Sequence, residues 1–383
     1  MVSRRRFFAV VAGALVAVGG GASAFLLTRE PRSALAPWDP AAIAPLDDAR
    51  LRALALAILA PNPHHRQPWL FELVGEDTIA VYCDPDRRLP ETDPFDRQIT
   101  IGFGCFLELL AMAAAADGHA AVIALFPEGE PQPRLDGRPV AVVTFARTGA
   151  PPPDPLFAHL RERRSNKEPF DTTRPVPAEA LAALVAAAPD LTRASAAPDL
   201  VEALRALTFR AFEIEAATPR THLESIRLLR IGKAEIEASP DGIDIGGAVP
   251  ELLAAAGLLT REAAADPAST AFAQTTDMYR EITHTGMAYV WLVTPDNTRA
   301  DQIAAGRAWV RVNLAATAAG LSAHPVSQAL QEYPEMQEEA LALATLLDVS
   351  GDTARVQMLA RIGYGPAVPP SPRWPVETRI RPA

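Results

Sequence analysis

Hydrophobic residues in the first half of the chain switch between helical and strand-like spacing. Leu51, Leu54 and Ile58 fall on one helical face, and Pro61 ends that helix. Two β-rich runs follow with Gly75-Glu76-Asp77 between them, which predicts a hairpin. An alanine-rich stretch then predicts a second helix. The strands predicted for this half are 69–74, 78–83, 121–126 and 140–145, and its second helix covers 101–117.

The second half repeats this order imperfectly. It predicts a helix over 177–188, a strand over 287–293, a helix over 306–319 and a strand over 355–362. Gly104 and Gly118 bracket Ala113-Ala114 in the same way that Gly306 and Gly320 bracket Ala315-Ala316. A Gly/Pro-rich linker separates the halves, so we predict two lobes, 46–150 and 151–383. Residues 220–247 have no counterpart in the first half, and we predict that this lid segment covers a site.

The N-terminus predicts export. Ser3-Arg4-Arg5-Arg6-Phe7-Phe8 opens a run without charge to Thr28, and this run contains Ala22-Ser23-Ala24. Paired arginines before phenylalanine are typical of a twin-arginine signal, here 1–29, followed by an extended, proline-rich linker over 30–45. The expected partner is the twin-arginine export machinery and the expected location is the periplasm. The alternative is a membrane anchor formed by an uncleaved signal.

Composition narrows the class of partner and cofactor. The 383-residue chain is 49% hydrophobic with a net charge of −10, which predicts a globular protein and argues against a nucleic-acid partner. Cys83 and Cys105 are the two cysteines, and pairing between them stays open. His64 and His65 are adjacent without a further His or Cys nearby, so no metal site is expected. Twin-arginine export carries folded proteins, and the usual reason to fold before export is a cofactor that can only be inserted in the cytoplasm.

Three motifs carry candidate chemistry. Asn62 to Trp69 forms a polar loop between a helix and a strand, where sites often lie. Arg163, Ser165 and Lys167 alternate, so an extended backbone would direct all three toward one anion such as a phosphate. A solvated run of charges is the alternative interpretation. Near the C-terminus, Arg373 follows two prolines and could add one more guanidinium.

In this order the motifs resemble the nitroreductase superfamily of FMN proteins, specifically its Acg-like branch of fused, two-lobed flavoproteins. The resemblance covers about residues 46–373. It implies an α+β fold in which each lobe has a mainly antiparallel sheet flanked by helices, forming a pseudo-dimer around one FMN. The implied phosphate-binding residues are Arg163, Ser165, Lys167 and Arg373. The implied ring-side residues are Asn62, His65 and Gln67, and backbone N–H groups of Val326, Ser327 and Gln328 would face the flavin N5.

One departure affects the ring side. The family loop carries Asn-x-Gln-Pro-Trp, whereas this chain has His65-Arg66-Gln67-Pro68-Trp69, so an imidazole replaces an amide. The resemblance implies hydride transfer through the flavin, with NAD(P)H or another donor and an acceptor that the sequence does not identify. The chain is expected to be a monomer, because one polypeptide supplies both lobes. The alternatives are a non-catalytic FMN holder closed by the lid segment and an exported binding protein without flavin.

Overall fold

A computed structural model describes residues 29–351 and 353–381 of the protein. The predicted signal peptide lies outside the described residues, apart from Arg29. Export by the twin-arginine route therefore stays a prediction.

The first half of the chain forms an antiparallel sheet with helices packed against it. Asp48 caps the first long helix, because its carboxylate accepts a hydrogen bond from Arg50 N at 2.8 Å. Trp69 and Phe71 of the hairpin stack on Phe106 of the next helix. The elements are α1 (Arg32–Leu35), α2 (Ala49–Ala57), β1 (Trp69–Val74), β2 (Thr78–Cys83), α3 (Arg97–Ala116), β3 (Ala120–Leu125) and β4 (Ala141–Ala146).

The second half forms another antiparallel sheet, which is interrupted by a long insertion. Its first elements are α4 (Ala178–Ala186) and β5 (Thr192–Ser195). The insertion (196–287) contains α5 (Pro198–Ala217), α6 (Pro219–Arg227), β6 (Leu229–Ile231), α7 (Gly232–Ala238), β7 (Ile243–Ile245), α8 (Ala248–Ala255), α9 (Arg261–Ala265) and α10 (Thr270–His284). The remaining elements are β8 (Ala288–Thr294), α11 (Arg299–Ala318), β9 (Ser322–Pro325), α12 (Gln337–Leu346) and β10 (Arg355–Gly363).

The two sheets share one topology. Their strand orders are β1-β2-β4-β3 and β5-β8-β10-β9, and neighbouring strands in both are antiparallel. In each sheet a long helix, α3 or α11, follows the second strand. The predicted α+β class, with two lobes of mainly antiparallel sheet flanked by helices, is confirmed. The insertion stands where the first lobe has only its hairpin turn, so the lid segment is part of a larger added unit.

The insertion also explains why the second sheet is buried on both faces. Val290 and Leu292 of β8 belong to the main core with α11, whereas Tyr289 and Trp291 pack in a second core with residues of α5. A strand covered on both faces favours a continuous apolar run. This accounts for the sequence Ala-Tyr-Val-Trp-Leu-Val in β8.

The lobes meet where α3 crosses α11 at two glycines. A Cβ atom on Gly104 would lie 2.2 Å from Ile303 O, and one on Gly306 would lie 1.9 Å from Ile101 O. The absence of side chains at both positions lets the helix backbones touch. Among the described residues, α3 is long and apolar enough to cross a membrane, but 89% of that stretch is buried in the protein core.

The proline-rich linker differs from its prediction. Residues 32–42 form α1 and two short 3-10 turns instead of an extended tether, and Ala34 and Trp38 are buried. Trp38 Nε1 donates to Ser371 O at 2.7 Å, and Arg373 N donates to Ala34 O at 2.8 Å. The proline content predicted a stiff, extended tether. The segment is instead packed against the C-terminal chain by the buried Trp38.

The two cysteines are separate, buried thiols. Burial raises the pKa of Cys105 to about 12 and raises that of Cys83 as well. Both side chains therefore act as small apolar residues of the first lobe.

Candidate functional site

The loop between α2 and β1 has a strained backbone. His64, His65 and Gln67 have positive φ angles of 44°, 54° and 47°. L-residues other than glycine rarely adopt this conformation, which costs of order 1 kcal/mol each and occurs most often at functional sites. Asn62 Oδ1 accepts a hydrogen bond from Gln67 N at 2.7 Å and so closes the loop on itself. The predicted ring-side residues thus form one compact turn.

Two predicted phosphate-binding arginines meet at the end of α2. Arg373 Nε donates to Ile58 O at 2.8 Å, while Arg373 Nη2 and Arg163 Nη2 both donate to Leu59 O at 3.0 Å. Cations are favoured beside the carbonyl end of a helix. Burial lowers the pKa of Arg163 to about 10 and lowers that of Arg373 well below its ordinary value. Arg163 therefore remains cationic near neutral pH. Among the described residues, neither guanidinium group has a carboxylate within ion-pair distance.

The basic motif does not present three equivalent side chains. Arg163 is buried, Ser165 is half-buried and Lys167 is exposed. Much of the Arg163 guanidinium is bonded within the protein, since Nη1 also donates to Asn313 Oδ1 at 3.1 Å. The three side chains therefore differ in burial, and the structure does not present them together to one anion as their alternation in the sequence predicts. Lys167 is the member whose charge is free to face solvent.

The charge of Lys167 acts on buried histidines from both lobes. Burial, followed by the nearby Lys167 charge, lowers the pKa of His64 to about 4. Burial lowers the pKa of His65 and His324 well below the ordinary value, and Lys167 again contributes. The three rings are therefore neutral near pH 7. They come from the strained loop and from β9. The basic motif contacts the chain beside both segments, since Arg163 Nη2 donates to Leu59 O and Asn166 N donates to Ala323 O.

His65 and Gln67 connect the loop to the C-terminal segment. The ring of His65 contacts Pro372 O through Nε2, and Arg373 Nη1 lies 3.3 Å from its Nδ1. Trp374 N donates to Gln67 Oε1 at 3.0 Å. His65 and Gln67 are thus held next to Arg373. Most of their polar atoms already form hydrogen bonds within the protein.

Among residues 326–328, only Val326 has its backbone N–H bonded to the neighbouring strand. Val326 N donates to Leu359 O at 2.9 Å, which takes Val326 out of the set of backbone donors expected to face the flavin. Ser327 and Gln328 are half-buried and follow directly. The correction arises because the edge pairing of β9 with β10 continues one residue beyond the strand.

The lid segment packs directly on the strained loop. Gln67 Nε2 donates to Pro240 O at 2.6 Å, and Gly242 N donates to His65 O at 3.2 Å. Ser225 Oγ lies 3.3 Å from His64 Nε2. These contacts place residues of the insertion against the side of the loop that carries the histidines.

A buried carboxylate fastens the lid segment to the first lobe. Asp241 lies 2.5 Å from Arg87 Nη1, 2.7 Å from Arg230 Nη2 and 3.6 Å from Arg66 Nη1. Burial alone would raise the pKa of Asp241, but the neighbouring guanidinium groups of Arg87, Arg66 and Arg230 lower it. Asp241 therefore stays ionised near neutral pH.

The N-terminal segment covers the arginines from the other side. The guanidinium groups of Arg164 and Arg373 lie 4.9 and 5.2 Å from the ring centre of Trp38. The sequence motifs gave no indication of this contact, because a single tryptophan in a proline-rich stretch has no periodic pattern.

Glu215 of α5 was also missed by the sequence analysis. It is a buried carboxyl group whose Oε1 lies 4.0 Å from His64 Nε2.

Comparison with known proteins gives sequence relatives of nearly full length. No family model matches the chain. The chain is 26% identical over 343 residues to "Putative NAD(P)H nitroreductase Rv3131" of Mycobacterium tuberculosis, a match that spans 85% of this chain and 91% of the relative. It is 27% identical over 350 residues to "Putative NAD(P)H nitroreductase acg" of the same organism, spanning 85% and 93%.

Two solved structures match at a low score. The FMN-dependent nitroreductase NfnB from Mycobacterium smegmatis, in complex with NADPH, has a TM-score of 0.32 and 16% identity over 53% of this chain and 84% of that chain. A nitroreductase-like family protein from Bacillus cereus has a TM-score of 0.32 and 14% identity over 60% and 96%. Similarity this low does not bear on the assignment. The chain is thus similar along 85% of its length to mycobacterial proteins named as putative NAD(P)H nitroreductases.

Proposed function

We propose that this protein is an FMN-binding oxidoreductase that transfers two electrons as hydride from a nicotinamide donor to a small-molecule acceptor. The observation that carries the proposal is that the basic motif lies between the strained loop and β9. Arg163 Nη2 donates to Leu59 O beside the loop, and Asn166 N donates to Ala323 O of β9. The similarity to mycobacterial proteins named as NAD(P)H nitroreductases supports the same reaction class.

The residues at this position fit a flavin phosphate. Arg163 Nε and Asn313 Nδ2 are buried N–H donors without a hydrogen-bond partner among the described residues. Buried donors of this kind normally have an acceptor. Lys167 adds an exposed cation and Ser165 a hydroxyl group at the same motif. An anionic acceptor with several oxygens matches this set.

When bound, FMN would supply reversible two-electron chemistry at its N5 atom. Ser165 and Lys167 would hold the phosphate, and the buried charges of Arg163 and Arg373 would favour an anion nearby. Asn62, His65 and Gln67 would form a rigid wall at the ring, because their own hydrogen bonds fix the loop. The neutral histidines would exclude water without adding charge.

A second candidate function is a flavin holder that admits no nicotinamide. It is favoured by the contacts of Pro240, Gly242 and Ser225 with the strained loop. Hydride transfer requires the donor to stack against the flavin face, so a segment fixed over that face would block NADPH but not a small reductant.

An absorption spectrum separates the possibilities. We expect the protein to bind FMN and to be reduced rapidly by dithionite. Reduction by NADPH should also occur, but more slowly, because opening of the lid segment limits its rate. Asp241→Asn removes the charge that pairs with Arg87, Arg230 and Arg66, so it should release the lid segment and speed NADPH reduction at least about tenfold. Asp190→Asn changes an exposed aspartate outside the lid segment and serves as the matched control.

Each result has a distinct meaning. Failure to bind FMN would refute the proposal altogether. Binding without NADPH reduction in either variant would leave the flavin holder as the function. Rapid NADPH reduction of the unaltered protein would rule out a lid that stays closed.

A further inference from the structure

α8 is a short apolar helix with an exposed side. None of its eight residues is buried. Val249 and Leu252 are exposed to 40% and 41% of their surface, and Leu258, just after the helix, is exposed to 61%. Val249 and Leu252 are three positions apart and so lie on the same side of the helix. Residues 248–258 are called the apolar patch.

The clustering of these side chains sets the apolar patch apart from the rest of the surface. Nine large hydrophobic side chains are exposed among the described residues, and three of them lie in this patch. The other six are scattered singly over both lobes and the insertion. Single exposed hydrophobic residues are common, whereas a group of them marks contact with another protein or with a membrane.

The apolar patch carries one charge, and that charge is paired. Glu251 is its one charged residue. Arg29 Nη1 donates to Glu251 Oε2 at 2.9 Å, and Lys233 N donates to Glu251 Oε1 at 2.7 Å. The patch can therefore contact an apolar surface without bringing an unpaired carboxylate to it.

Arg29 is also the first described residue. It follows directly after the run from Phe7 to Thr28, which carries no charge. This run has at least the ~20 residues that a helix needs to cross a bilayer. The point where the N-terminal run joins the fold therefore lies at the apolar patch.

We propose that the apolar patch docks on a lipid bilayer that the uncharged N-terminal run enters. The fold then rests against the membrane through α8, with Leu252 and Leu258 at the boundary between head groups and acyl chains. The inference concerns the chain that keeps residues 1–28. It goes beyond the proposed oxidoreductase function and does not depend on it.

A bilayer suits the apolar patch better than a second copy of the chain does. Stable protein interfaces bury about 800 Å² per partner and involve roughly 20–30 residues a side. The apolar patch has only three large exposed side chains. A membrane contact of this size is sufficient when another segment of the same chain already holds the fold at the surface, because the second contact then forms at a high effective concentration.

The first test measures the surroundings of the apolar patch in the full chain, reconstituted into phosphatidylcholine vesicles. Leu258→Cys provides a thiol for the fluorophore NBD, whose emission depends on its environment. Cys83 and Cys105 should not react, because they are buried and burial raises the pKa of both thiols. Val122→Cys is the matched control, since Val122 is also 61% exposed and lies on the outer strand of the first sheet.

The label at position 258 should emit at a shorter wavelength than the label at position 122. It should also be quenched by lipids that carry a nitroxide near the head group, since an interfacial helix lies about 5–10 Å deep. Absence of both effects at position 258, or equal effects at position 122, would overturn the inference.

The second test separates docking from simple attachment through the N-terminus. Leu252→Glu places a charge in the apolar patch, which is costly to bury in lipid, so quenching at position 258 should fall at least about threefold. The N-terminal run still holds the protein, so flotation with the vesicles should not change. Leu341→Glu, at an exposed position of α12, is the matched control and should leave the quenching as it was. Undiminished quenching in Leu252→Glu would overturn the inference.

Two further measurements distinguish other forces and other occupants. Quenching should persist in about 0.5 M NaCl, since salt screens contacts between charges but not apolar contacts. Its loss would show that charges attach the fold to the membrane and would overturn apolar docking. Emission should not depend on the number of protein molecules per vesicle, and a shift to shorter wavelength as that number rises would show that a second copy covers the patch. FMN content should be the same in all variants, so failure of this inference is distinguishable from failure of the proposed function.

Discussion

Arg163 and Arg373 serve the fold as well as the candidate site. Their guanidinium groups satisfy carbonyl oxygens at the end of α2, where the helix leaves its last acceptors without internal partners. Truncation of either arginine would leave buried carbonyl oxygens without a hydrogen-bond donor, and this would lower the stability of the fold. A loss of FMN in such a variant would therefore not identify a phosphate contact.

Lys167 gives a cleaner test because its side chain is exposed. Lys167→Ala should weaken FMN binding by roughly 1 kcal/mol, about fivefold, as expected for one exposed charge. Riboflavin has no phosphate, so its affinity should not change. Fluorescence titration of both flavins measures the effect, and Arg147→Ala, an exposed charge at the end of β4, is the control. A similar loss for riboflavin would contradict a phosphate contact at Lys167.

At the residue scale the sequence identified the loop and its arginines but not their surroundings. Motif order alone pointed to Asn62, Gln67, Arg163 and Arg373, and the structure brings these residues to the end of α2. Glu215 could not be found in this way. Helical spacing shows that a position is buried, but it does not show which residue from a distant element will face it.

At the scale of elements, the crossing of α3 and α11 depends on two glycines. Alanine is the better helix former by about 1 kcal/mol, so a glycine inside a helix calls for a packing reason. Here the reason is direct backbone contact between Gly104 and Gly306.

Gly104→Ala should therefore destabilise the protein despite its gain in helix propensity. The new methyl group would lie 2.2 Å from a backbone carbonyl, which cannot rotate away, so we expect a loss of about 3 kcal/mol in the free energy of unfolding. Urea denaturation measures it. Gly137→Ala is the control, since a Cβ atom there meets nothing within 4 Å. An equal or greater stability of Gly104→Ala would show that the helices can separate.

Element boundaries were predicted best where local chemistry marks them. β1 and β2 agree with the predicted strands at both ends, because the turn 75–77 defines the hairpin. The helix predicted over 306–319 instead begins at Arg299. Thr298 and Asp301 form a capping box there, a signal present in the sequence but set within a polar stretch without clear periodicity.

At the scale of the whole molecule, the two lobes share a topology but differ in their connections. Residues 58–68 join α2 to β1 in the first lobe, whereas only 187–191 join α4 to β5 in the second. The second lobe thus has no room for a loop like that of Asn62 and Gln67. The repeated order of elements was visible in the sequence, but the extent of the insertion was not, because its amphipathic helices have the same pattern as core helices.

We therefore expect one FMN per polypeptide in a monomer. The ratio of flavin to protein absorbance gives the stoichiometry, and sedimentation equilibrium gives the mass of the particle that carries the flavin. Two flavins per chain would mean that each lobe completes a site by itself. A dimer with one flavin per pair would mean that the site lies between chains.

Insertion of 196–287 between β5 and β8 has a consequence for symmetry. Two identical chains would each carry any lengthened loop, so both of their shared sites would receive the same addition. In this chain the two halves are joined, and only one of them is enlarged. The strained loop of the first half is therefore covered by an element that exists once in the molecule, an arrangement closed to a symmetric pair of identical chains.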